Sequence, residues 1–387
     1  MADTLKKLTI EGFKSIRSLR DFDLRPLNVL IGPNGAGKSN FVGFFRLLHE
    51  LIHQRLQLAV SVDGGADACL FMGPKETPKL EGKFYFGANG YEFSLVATPG
   101  GKFIFEDETT YFDGRFGKTR KRIGSGHEEA HLKDLKDEAG RWGAQRGVEH
   151  YVFDAVSSWI VYHFHDTSAN AAVRRPRAIN DNIALRQNAE NLAPFLLKIL
   201  KSDPARYLQI RDFIRLAAPF FDDFLLRPMA GQQEMIQLEW TQQGSDYPFR
   251  ATQLSDGTLR FICMATALLQ PAPPPTMLFD EPELGLHPYA LTLLGNLFRD
   301  VCTDRIGGRR QVIISTQSSL LLNEMIPEDV VIVERQDGQS QFRRLRSEEL
   351  SEWLKDYSLG ELWQKNVLGA RPRDERTPQP LAKGGDD

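Results

Sequence analysis

One segment restricts most narrowly what this chain can fold into: Gly32, Pro33, Asn34, Gly35, Ala36, Gly37, Lys38 and Ser39. An apolar run at residues 28–31 precedes it, and apolar residues at helical spacing follow it to about position 57. A strand, a glycine-rich turn, a lysine and a helix in this order predict a loop whose backbone N–H groups surround phosphate oxygens. Lys38 would reach the outer phosphates, and the Ser39 hydroxyl would bind Mg²⁺. A glycine turn formed by chance is the alternative.

A second segment places two acidic residues at the end of an apolar run. Residues 276–279 have the composition of a buried strand, and Asp280 and Glu281 follow them. ATP hydrolysis needs one carboxylate to hold Mg²⁺, which suits Asp280, and a second to orient or deprotonate the attacking water, which suits Glu281. An exposed turn is the alternative, but the phosphate-loop motif favours the functional interpretation.

A third segment, residues 254–258, opens a helical pattern shortly before the acidic pair. A hydroxyl at Ser255 and a glycine at Gly257 can form another anion site at a helix start. Simple N-capping by Ser255 or Asp256 is the alternative interpretation. The position of the segment ahead of the strand that ends in Asp280 favours contact with a ligand.

The three motifs, in the order GPNGAGKS, LSDGT and LFDEPE, resemble those of an ABC-type ATPase, and more narrowly its RecF/SMC/OLD branch. Residues 10–16 resemble the first strand of that branch, and residues 313–318 resemble its switch strand. The chain is most similar to the small RecF-like predicted ATPases with an AAA-type ATP-binding core, over residues 3–369. This implies an α/β fold: a P-loop NTPase with an ABC-type head, a mixed central sheet, an antiparallel β-subdomain and a helical lobe.

The resemblance implies a mechanism in which two heads enclose two ATP molecules. ATP and Mg²⁺ would be the cofactors. ATP binding would close a homodimer and hydrolysis would open it, because the γ-phosphate makes contacts that exist only in the closed dimer. Ser255 and the amide of Gly257 in one head would contact the γ-phosphate held by the other. The remaining implied site residues are the nucleotide-binding residues 32–39 and Asn40, the metal ligands Ser39 and Asp280, and the catalytic residues Glu281, Gln317 and Lys38.

The sequence departs from the family pattern at three places. Asp256 stands where the signature usually has a glycine, and Gln317 stands where transport-type members have histidine. A glutamine can position a water or a phosphate oxygen, but it cannot take a charge. No secure lobe-linking glutamine is found; His163, His165 and Asp166 occupy about its place, as a metal site or as hydrogen-bonded loop residues.

The predicted organisation has three lobes and a tail. Residues 1–165 form an N-terminal ATPase lobe with the phosphate loop, an antiparallel β-meander and a basic polar loop at 113–147. Residues 166–253 form a helical lobe with connecting strands. Residues 254–369 form a C-terminal ATPase lobe with the signature, the acidic pair and the switch. Residues 370–387 have little apolar content, which predicts a disordered tail.

Composition restricts the surroundings of the protein. Forty-eight Lys and Arg against fifty-one Asp and Glu give a net charge of −3. This excludes a strongly basic protein of the kind that coats nucleic acids, but it does not exclude a local basic patch. The cysteines, Cys69, Cys263 and Cys302, lack metal-site spacing. Neither a signal peptide nor a membrane span is expected, so we expect no membrane association and a reducing, cytoplasmic location.

Two basic runs could contact duplex DNA, or could be solvated loops. They are the run Arg115, Lys118, Arg120, Lys121 and Arg122, and the run Arg174, Arg175 and Arg177. The first functional hypothesis is an ATP-hydrolysing, DNA-associated switch in repair or genome maintenance. The second is the ATPase subunit of an anti-phage or toxin-type system that gates a separately encoded effector. Three features disfavour a transporter motor: Gln317, the opening motif at residues 12–15 (Gly-Phe-Lys-Ser) and the long stretch of chain between Lys38 and the signature.

Overall fold

The computed structural model describes residues 4–114, 117–141, 147–303 and 310–369. The tail predicted at 370–387 and the basic residue Arg115 lie outside these described residues. No helix in the described part of the chain combines the length and apolar character that crossing a bilayer requires.

The strands of the described ranges are numbered in chain order. They are β1 (Lys7–Phe13), β2 (Ile16–Asp23), β3 (Leu27–Ile31), β4 (Lys79–Phe86), β5 (Asn89–Ala97), β6 (Phe103–Gly114), β7 (Gly117–Gly124), β8 (Trp159–Tyr162), β9 (Arg177–Ala178), β10 (Phe221–Phe224), β11 (Pro228–Met229), β12 (Gln232–Ile236), β13 (Glu239–Gln242), β14 (Phe249–Arg250), β15 (Thr276–Asp280), β16 (Gln311–Thr316), β17 (Val330–Gln336) and β18 (Gln339–Arg344).

The α-helices are numbered in the same way. They are α1 (Lys38–Ile52), α2 (Leu56–Val62), α3 (Ala66–Cys69), α4 (Leu132–Arg141), α5 (Val148–Ser157), α6 (Leu192–Ser202), α7 (Pro204–Ala217), α8 (Asp256–Leu269), α9 (Pro288–Cys302), α10 (Ser319–Leu322), α11 (Ser347–Leu350) and α12 (Leu359–Gln364). Short 3₁₀ turns lie at Ala172–Arg174, Ala251–Gln253, Pro327–Asp329 and Trp353–Lys355.

A mixed six-stranded sheet in the order β18-β17-β3-β16-β15-β8 forms the centre of the fold. The five strands from β17 to β8 are parallel, and β18 closes one edge in antiparallel orientation. The apolar runs at residues 28–31, 277–279, 312–314 and 330–333, whose composition predicts strands, all belong to this parallel part of the sheet. Because β16 lies between β3 and β15, the carboxyl ends of these three strands meet at one edge of the sheet.

The side chains of this sheet alternate between two hydrophobic cores. On β3, Val29 and Ile31 join one core, whereas Leu30 joins the other. The first core contains α6 to α9, and the second contains α1 and the antiparallel sheet. A strand that is covered on both faces is buried throughout, which explains why β3 has five buried residues in succession, four of them apolar.

The second large sheet is antiparallel, in the order β2-β1-β4-β5-β6-β7. It confirms the predicted meander but differs from it in two details. The sequence pattern also predicts separate strands at residues 102–105 and 109–112, but residues 103–105 and 109–112 belong to the single strand β6, which has a register shift in its pairing with β5. Residues 113–147, expected as a basic polar loop, contain β7 and α4. The loop expectation overlooked that exposed charged side chains are compatible with an edge strand.

The sequence pattern predicts helix from residue 183 to about residue 218, broken near Pro204. The structure begins this helical segment only at Leu192, with α6, and α7 follows from Pro204. Asp203 ends α6 and caps α7, because its carboxylate accepts a hydrogen bond from the backbone N–H of Arg206 at 3.1 Å. Residues 234–240, expected as one strand, are divided between β12 and β13. The helices α6 and α7 and the strands β12 and β13 contribute to the same hydrophobic core as α8, so they support the helix that begins at the signature.

Candidate nucleotide site

The phosphate loop occupies the turn between β3 and α1, as its motif predicted. A Cβ on Gly32 would lie 2.0 Å from the carbonyl oxygen of Val333, and one on Gly37 would lie 2.0 Å from Ser340 Oγ. Gly35 has a φ of 78° and Gly37 one of 112°, which are left-handed values that glycine adopts without strain. The glycines are therefore required both by the turn and by its contact with β17 and β18.

Lys38 begins α1, and its side chain is buried at 5% exposure. The Nζ atom donates hydrogen bonds to the carbonyl oxygens of Gly32 at 2.7 Å and Pro33 at 3.1 Å. Burial lowers the pKa of Lys38, while the nearby carboxylates of Glu281 and Asp280 act in the opposite direction. The ammonium group thus lies against the loop that a phosphate would fill.

A chain of hydroxyl groups supports the loop from outside. Asn40 donates through Nδ2 to Ser15 Oγ at 2.6 Å, and Ser15 Oγ lies 2.7 Å from Ser340 Oγ. Ser340 in turn donates to the carbonyl oxygen of Ala36 at 2.6 Å. These contacts explain why the opening motif that contains Ser15 accompanies the phosphate loop. Direct contact of Asn40 with a nucleotide stays a prediction.

The acidic pair lies at the carboxyl end of β15, which is separated from β3 by the strand β16. Ser315 on β16 donates a short hydrogen bond to the Asp280 carboxylate. Glu281 has a φ of 45°, which is strained for a residue with a side chain, and its N–H donates to the carbonyl oxygen of Ser315 at 2.8 Å. Gln317 Nε2 donates to Glu281 Oε1 at 2.5 Å. The structure therefore brings Glu281 and Gln317 together.

Glu283 belongs to the same network, although the sequence analysis did not single it out. Its Oε1 atom accepts a hydrogen bond from the backbone N–H of Gln317 at 2.6 Å, and its Oε2 atom is buried without a partner. Burial raises the pKa of Glu283. The signal that could have found this residue is the third acid of the LFDEPE segment, three positions after Asp280.

The signature turn lies at the start of α8. Ser255 is exposed and caps the helix, because its Oγ atom accepts a hydrogen bond from the N–H of Thr258 at 3.1 Å. A Cβ on Gly257 would lie 2.1 Å from the carbonyl oxygen of Gly285, so the turn packs tightly on the loop after the acidic pair. Both interpretations of Ser255 remain open, since an exposed capping serine can also meet a second molecule.

Two buried arginines support this turn from within the same chain. Arg174 is 4% exposed and donates to Asp256 Oδ1 at 2.8 Å. Arg260, on α8, donates to the carbonyl oxygens of Phe164 at 2.8 Å and His165 at 3.0 Å. The unusual aspartate of the signature thus has a cationic partner, and α8 is tied to the chain segment that leaves β8.

His163 leaves the end of β8, next to the acidic pair. Its Nδ1 atom lies 3.1 Å from Arg46 Nη2, and because arginine only donates, Nδ1 accepts and Nε2 carries the proton. Burial and the charge of Arg46 lower the pKa of His163 to about 4, so this imidazole is neutral at pH 7. Asp166 accepts a hydrogen bond from its neighbour Ser168 at 2.7 Å, as a loop residue does.

The described residues bring three potential metal ligands together elsewhere, at Glu108, His127 and His131. The Glu108 carboxylate is fully buried and surrounded by donors: Tyr91 Oη at 2.8 Å, His127 Nε2 at 2.9 Å and the backbone N–H groups of His131 at 3.0 Å and Leu132 at 3.3 Å. Because these donors occupy the carboxylate, we interpret the cluster as a hydrogen-bonded joint between β6 and α4.

The basic runs are largely occupied within the chain. Four side chains of β7 form ion pairs, namely Lys118 with Asp113, Arg120 with Glu92, Lys121 with Glu149 and Arg122 with Asp107. In the second run, Arg174 is buried and Arg177 pairs with Glu190. Beside Ser39, a cavity of about 520 Å³ runs along the face of α1 that carries Arg46, His49 and Glu50, away from the acidic pair.

The fold and the three motifs define this protein as an ABC-type ATPase of the RecF/SMC branch. The chain belongs to the family described as "AAA domain, putative AbiEii toxin, Type IV TA system", which matches residues 27–323. This range begins at β3 and contains the phosphate loop, the signature and the switch strand. No curated protein matches the chain.

Two solved structures are similar to the chain across its length. One is the SmcHead bound to the C-winged helix domain of ScpA, with a TM-score of 0.58 and 16% identity over 90% of this chain and 99% of that chain. The other is an Smc head domain with an extended coiled coil, bound to the C-terminal domain of ScpA and derived from Pyrococcus furiosus. Its TM-score is 0.54, with 14% identity over 91% of this chain and 99% of that chain. At these identities the likeness shows the fold.

Proposed function

We propose that this chain binds and hydrolyses ATP and that ATP drives two heads to dimerise. The proposal rests on the carboxyl ends of β3, β16 and β15, which lie together at one edge of the central sheet. The phosphate loop with Lys38 and Ser39 follows β3, Asp280 and Glu281 follow from β15, and Gln317 follows β16 between them. Ligands of open parallel sheets bind at the carboxyl ends of the strands, where these residues lie.

The donor atoms at this edge suit magnesium. The Ser39 hydroxyl and the Asp280 carboxylate are hard oxygen ligands, which Mg²⁺ prefers. Ser315 donates to Oδ1 of Asp280, which leaves Oδ2 for a cation. Bound Mg²⁺ would neutralise charge on the phosphate oxygens.

Glu281 is the proposed base for the attacking water. Its carboxylate accepts the water proton, and the hydrogen bond from Gln317 fixes the orientation of that carboxylate. The Glu283 carboxylate accepts a hydrogen bond from the backbone N–H of Gln317. Glu283 therefore acts on the same step indirectly, by positioning Gln317. Lys38 would exchange its carbonyl partners for phosphate oxygens when the nucleotide enters.

The exposed surface around the signature supports a second copy of this chain as the partner. Ser255 is exposed, and next to Gly285 the large apolar side chains of Leu284 and Tyr289 are 40% and 54% exposed. Apolar and aromatic side chains around a polar ligand contact are typical of interface centres. In the proposed dimer, Ser255 and the Gly257 amide contact the γ-phosphate held by the partner.

Two variants test this proposal. Glu281→Gln should bind ATP and form a stable dimer, while turnover falls by at least about a hundredfold, because a positioned base contributes that much. Ser255→Arg in the Glu281→Gln background should lose the ATP-dependent dimer in light scattering but keep nucleotide binding by the monomer.

Ser202→Arg is the matched control, because Ser202 is an exposed serine at the end of α6, on another element. It should leave the dimer intact. Unchanged turnover in Glu281→Gln would remove Glu281 from the chemistry, and a persisting dimer in Ser255→Arg would contradict the ATP-enclosing arrangement.

For the output of the switch, we propose ATP-dependent association with duplex DNA in repair or genome maintenance. The exposed basic side chains of β7 support it, although each pairs with an acidic residue. The second candidate is control of a separately encoded effector, which the toxin–antitoxin description of the family favours.

A pull-down with the Glu281→Gln protein separates the two outputs. With ATP present, enrichment of duplex or gapped DNA supports DNA association, whereas a stoichiometric protein from cell extract supports the effector function. The same protein without ATP is the control, since a switch should release its partner when the γ-phosphate is missing.

A further inference from the structure

The Arg174 side chain contacts two residues of the signature turn, Leu254 and Asp256, and also Ala251 just before it. Its Nε atom donates to the carbonyl oxygen of Thr167 at 3.0 Å, and its two Nη atoms donate to that of Leu254 at 3.3 Å. Nη1 also makes a short contact with the carbonyl oxygen of Ala251, and Nη2 donates to Asp256 Oδ1. One guanidinium group therefore ties the turn to the segment that leaves β8.

The placement of Asp256 makes this contact important. In the proposed dimer, the turn that carries Asp256 faces a triphosphate, and a free carboxylate there would repel it. The side chain of Asp256 is 65% exposed, so solvent alone does not hold it in one position. The buried charge of Arg174 attracts Oδ1 inward and offsets the negative charge at the helix start.

We infer that Arg174 is a positioning residue: by pairing with Asp256 and fixing the carbonyl groups of residues 251–254, it keeps the signature turn compatible with the partner's γ-phosphate. The inference rests on the proposed ATP-dependent dimer. Arginine suits this task because its planar group donates in several fixed directions, which lysine cannot reproduce. Arg260 reinforces the arrangement, since it binds Phe164, His165 and the carbonyl oxygen of Leu284.

The test measures the dimer dissociation constant in the Glu281→Gln background with saturating ATP. Arg174→Met should raise this constant at least about tenfold, because it releases the Asp256 carboxylate towards the phosphates. Asp256→Asn should stay within about threefold of the parent, as substitutions without a lost contact to the partner do. The double variant should recover part of the loss caused by Arg174→Met, since the freed charge is then absent while the carbonyl groups of residues 251–254 still lack their donor.

The affinity of the monomer for ATP is the second readout. It should stay within about threefold in all variants, because the phosphate loop lies on other elements, whereas general damage to the fold would lower it. Arg177→Met is the matched control: it is three residues away and pairs with Glu190, outside the signature turn. It should change neither quantity.

The possible failures are distinguishable. If the Glu281→Gln parent forms no dimer with ATP, the proposed function and this inference both fall. If the parent dimerises but Asp256→Asn loses the dimer at least about tenfold, Asp256 itself contacts the partner and the neutralising role of Arg174 is wrong. The Asp256→Asn result stands even if Arg174→Met does not fold. A double variant as weak as Arg174→Met would also overturn the inference.

Discussion

The phosphate loop and the signature turn are both glycine-containing turns at a helix N-terminus, yet they are held in different ways. The phosphate loop needs left-handed glycines and packs on buried strands, with Gly32 against Val333. The signature turn has a glycine that packs on the exposed loop at Gly285, and a remote arginine, Arg174, that fixes its carbonyl groups. Both turns are contiguous in sequence, but the first is held by the buried strand β17 and by β18, whereas the second is held by the exposed loop at Gly285 and by Arg174 from outside the turn.

Gly32→Ala should have the largest effect and should act on the monomer. The added Cβ would meet the Val333 carbonyl oxygen of β17 at 2.0 Å, and a buried central strand cannot move aside. We expect the affinity of the monomer for ATP to fall at least about a hundredfold, because such a displacement misplaces the phosphate-binding groups. Isothermal titration calorimetry measures this directly.

Gly35→Ala is the matched control for that prediction. A Cβ at Gly35 meets nothing within 4 Å, so only its positive φ of 78° opposes the substitution. A weaker loss than in Gly32→Ala is expected, of roughly fivefold to tenfold, from the cost of a left-handed conformation. Equal losses in the two variants would mean that contact with β17 is not what shapes the loop.

Gly257→Ala should have a smaller effect and should act on the dimer. Its Cβ would meet the Gly285 carbonyl oxygen at 2.1 Å, but the loop that contains Gly285 is exposed and can shift. We expect the ATP-dependent dimer to weaken about tenfold, while the monomer keeps its ATP affinity. Analytical ultracentrifugation with ATP in the Glu281→Gln background checks it, and a loss of monomer binding would contradict the division between the two turns.

Glu283 allows a finer test of the chemistry around the phosphate loop. Glu283→Ala removes the acceptor for the N–H of Gln317, so we expect kcat to fall about tenfold. Glu283→Gln keeps a carbonyl oxygen at that place and should lose less than about threefold. Steady-state kinetics compares the two variants; similar losses would show that the charge, and not the hydrogen bond, matters.

The smallest expected effect concerns the stability of the fold at low pH. The pKa of His163 in the folded chain is about 4, below the ordinary value of 6.5, so below pH 6.5 the unfolded state takes up the proton more readily. The stability that His163 contributes is therefore fully present above pH 6.5 and is lost as pH falls towards 4.

His163→Gln should flatten the decrease in melting temperature between pH 6.5 and pH 4, measured by calorimetry. Arg46, His165 and Asp280 face His163 and are unchanged in this variant. An unchanged slope in His163→Gln would place the titrating group elsewhere.

The sequence predicted the nucleotide site best where one contiguous segment builds it. The phosphate loop, the acidic pair at Asp280 and the presence of buried parallel strands follow from local patterns. The pairing of Arg174 with Asp256 could not be read, because the two residues are far apart in the chain and a surface arginine has the same local pattern. The strand β7 was missed because its exposed charges resemble a loop.

The charges of β7 have a consequence for how the protein behaves at high concentration. β7 is the last strand of the antiparallel sheet, so one side of its backbone has no neighbouring strand among the residues that the structure describes. An open strand edge invites pairing with another molecule, and closely spaced lysine and arginine side chains discourage it through mutual repulsion and hydration. Neutralising Lys118 and Arg120 together would therefore favour edge-to-edge aggregation, even with the nucleotide site untouched.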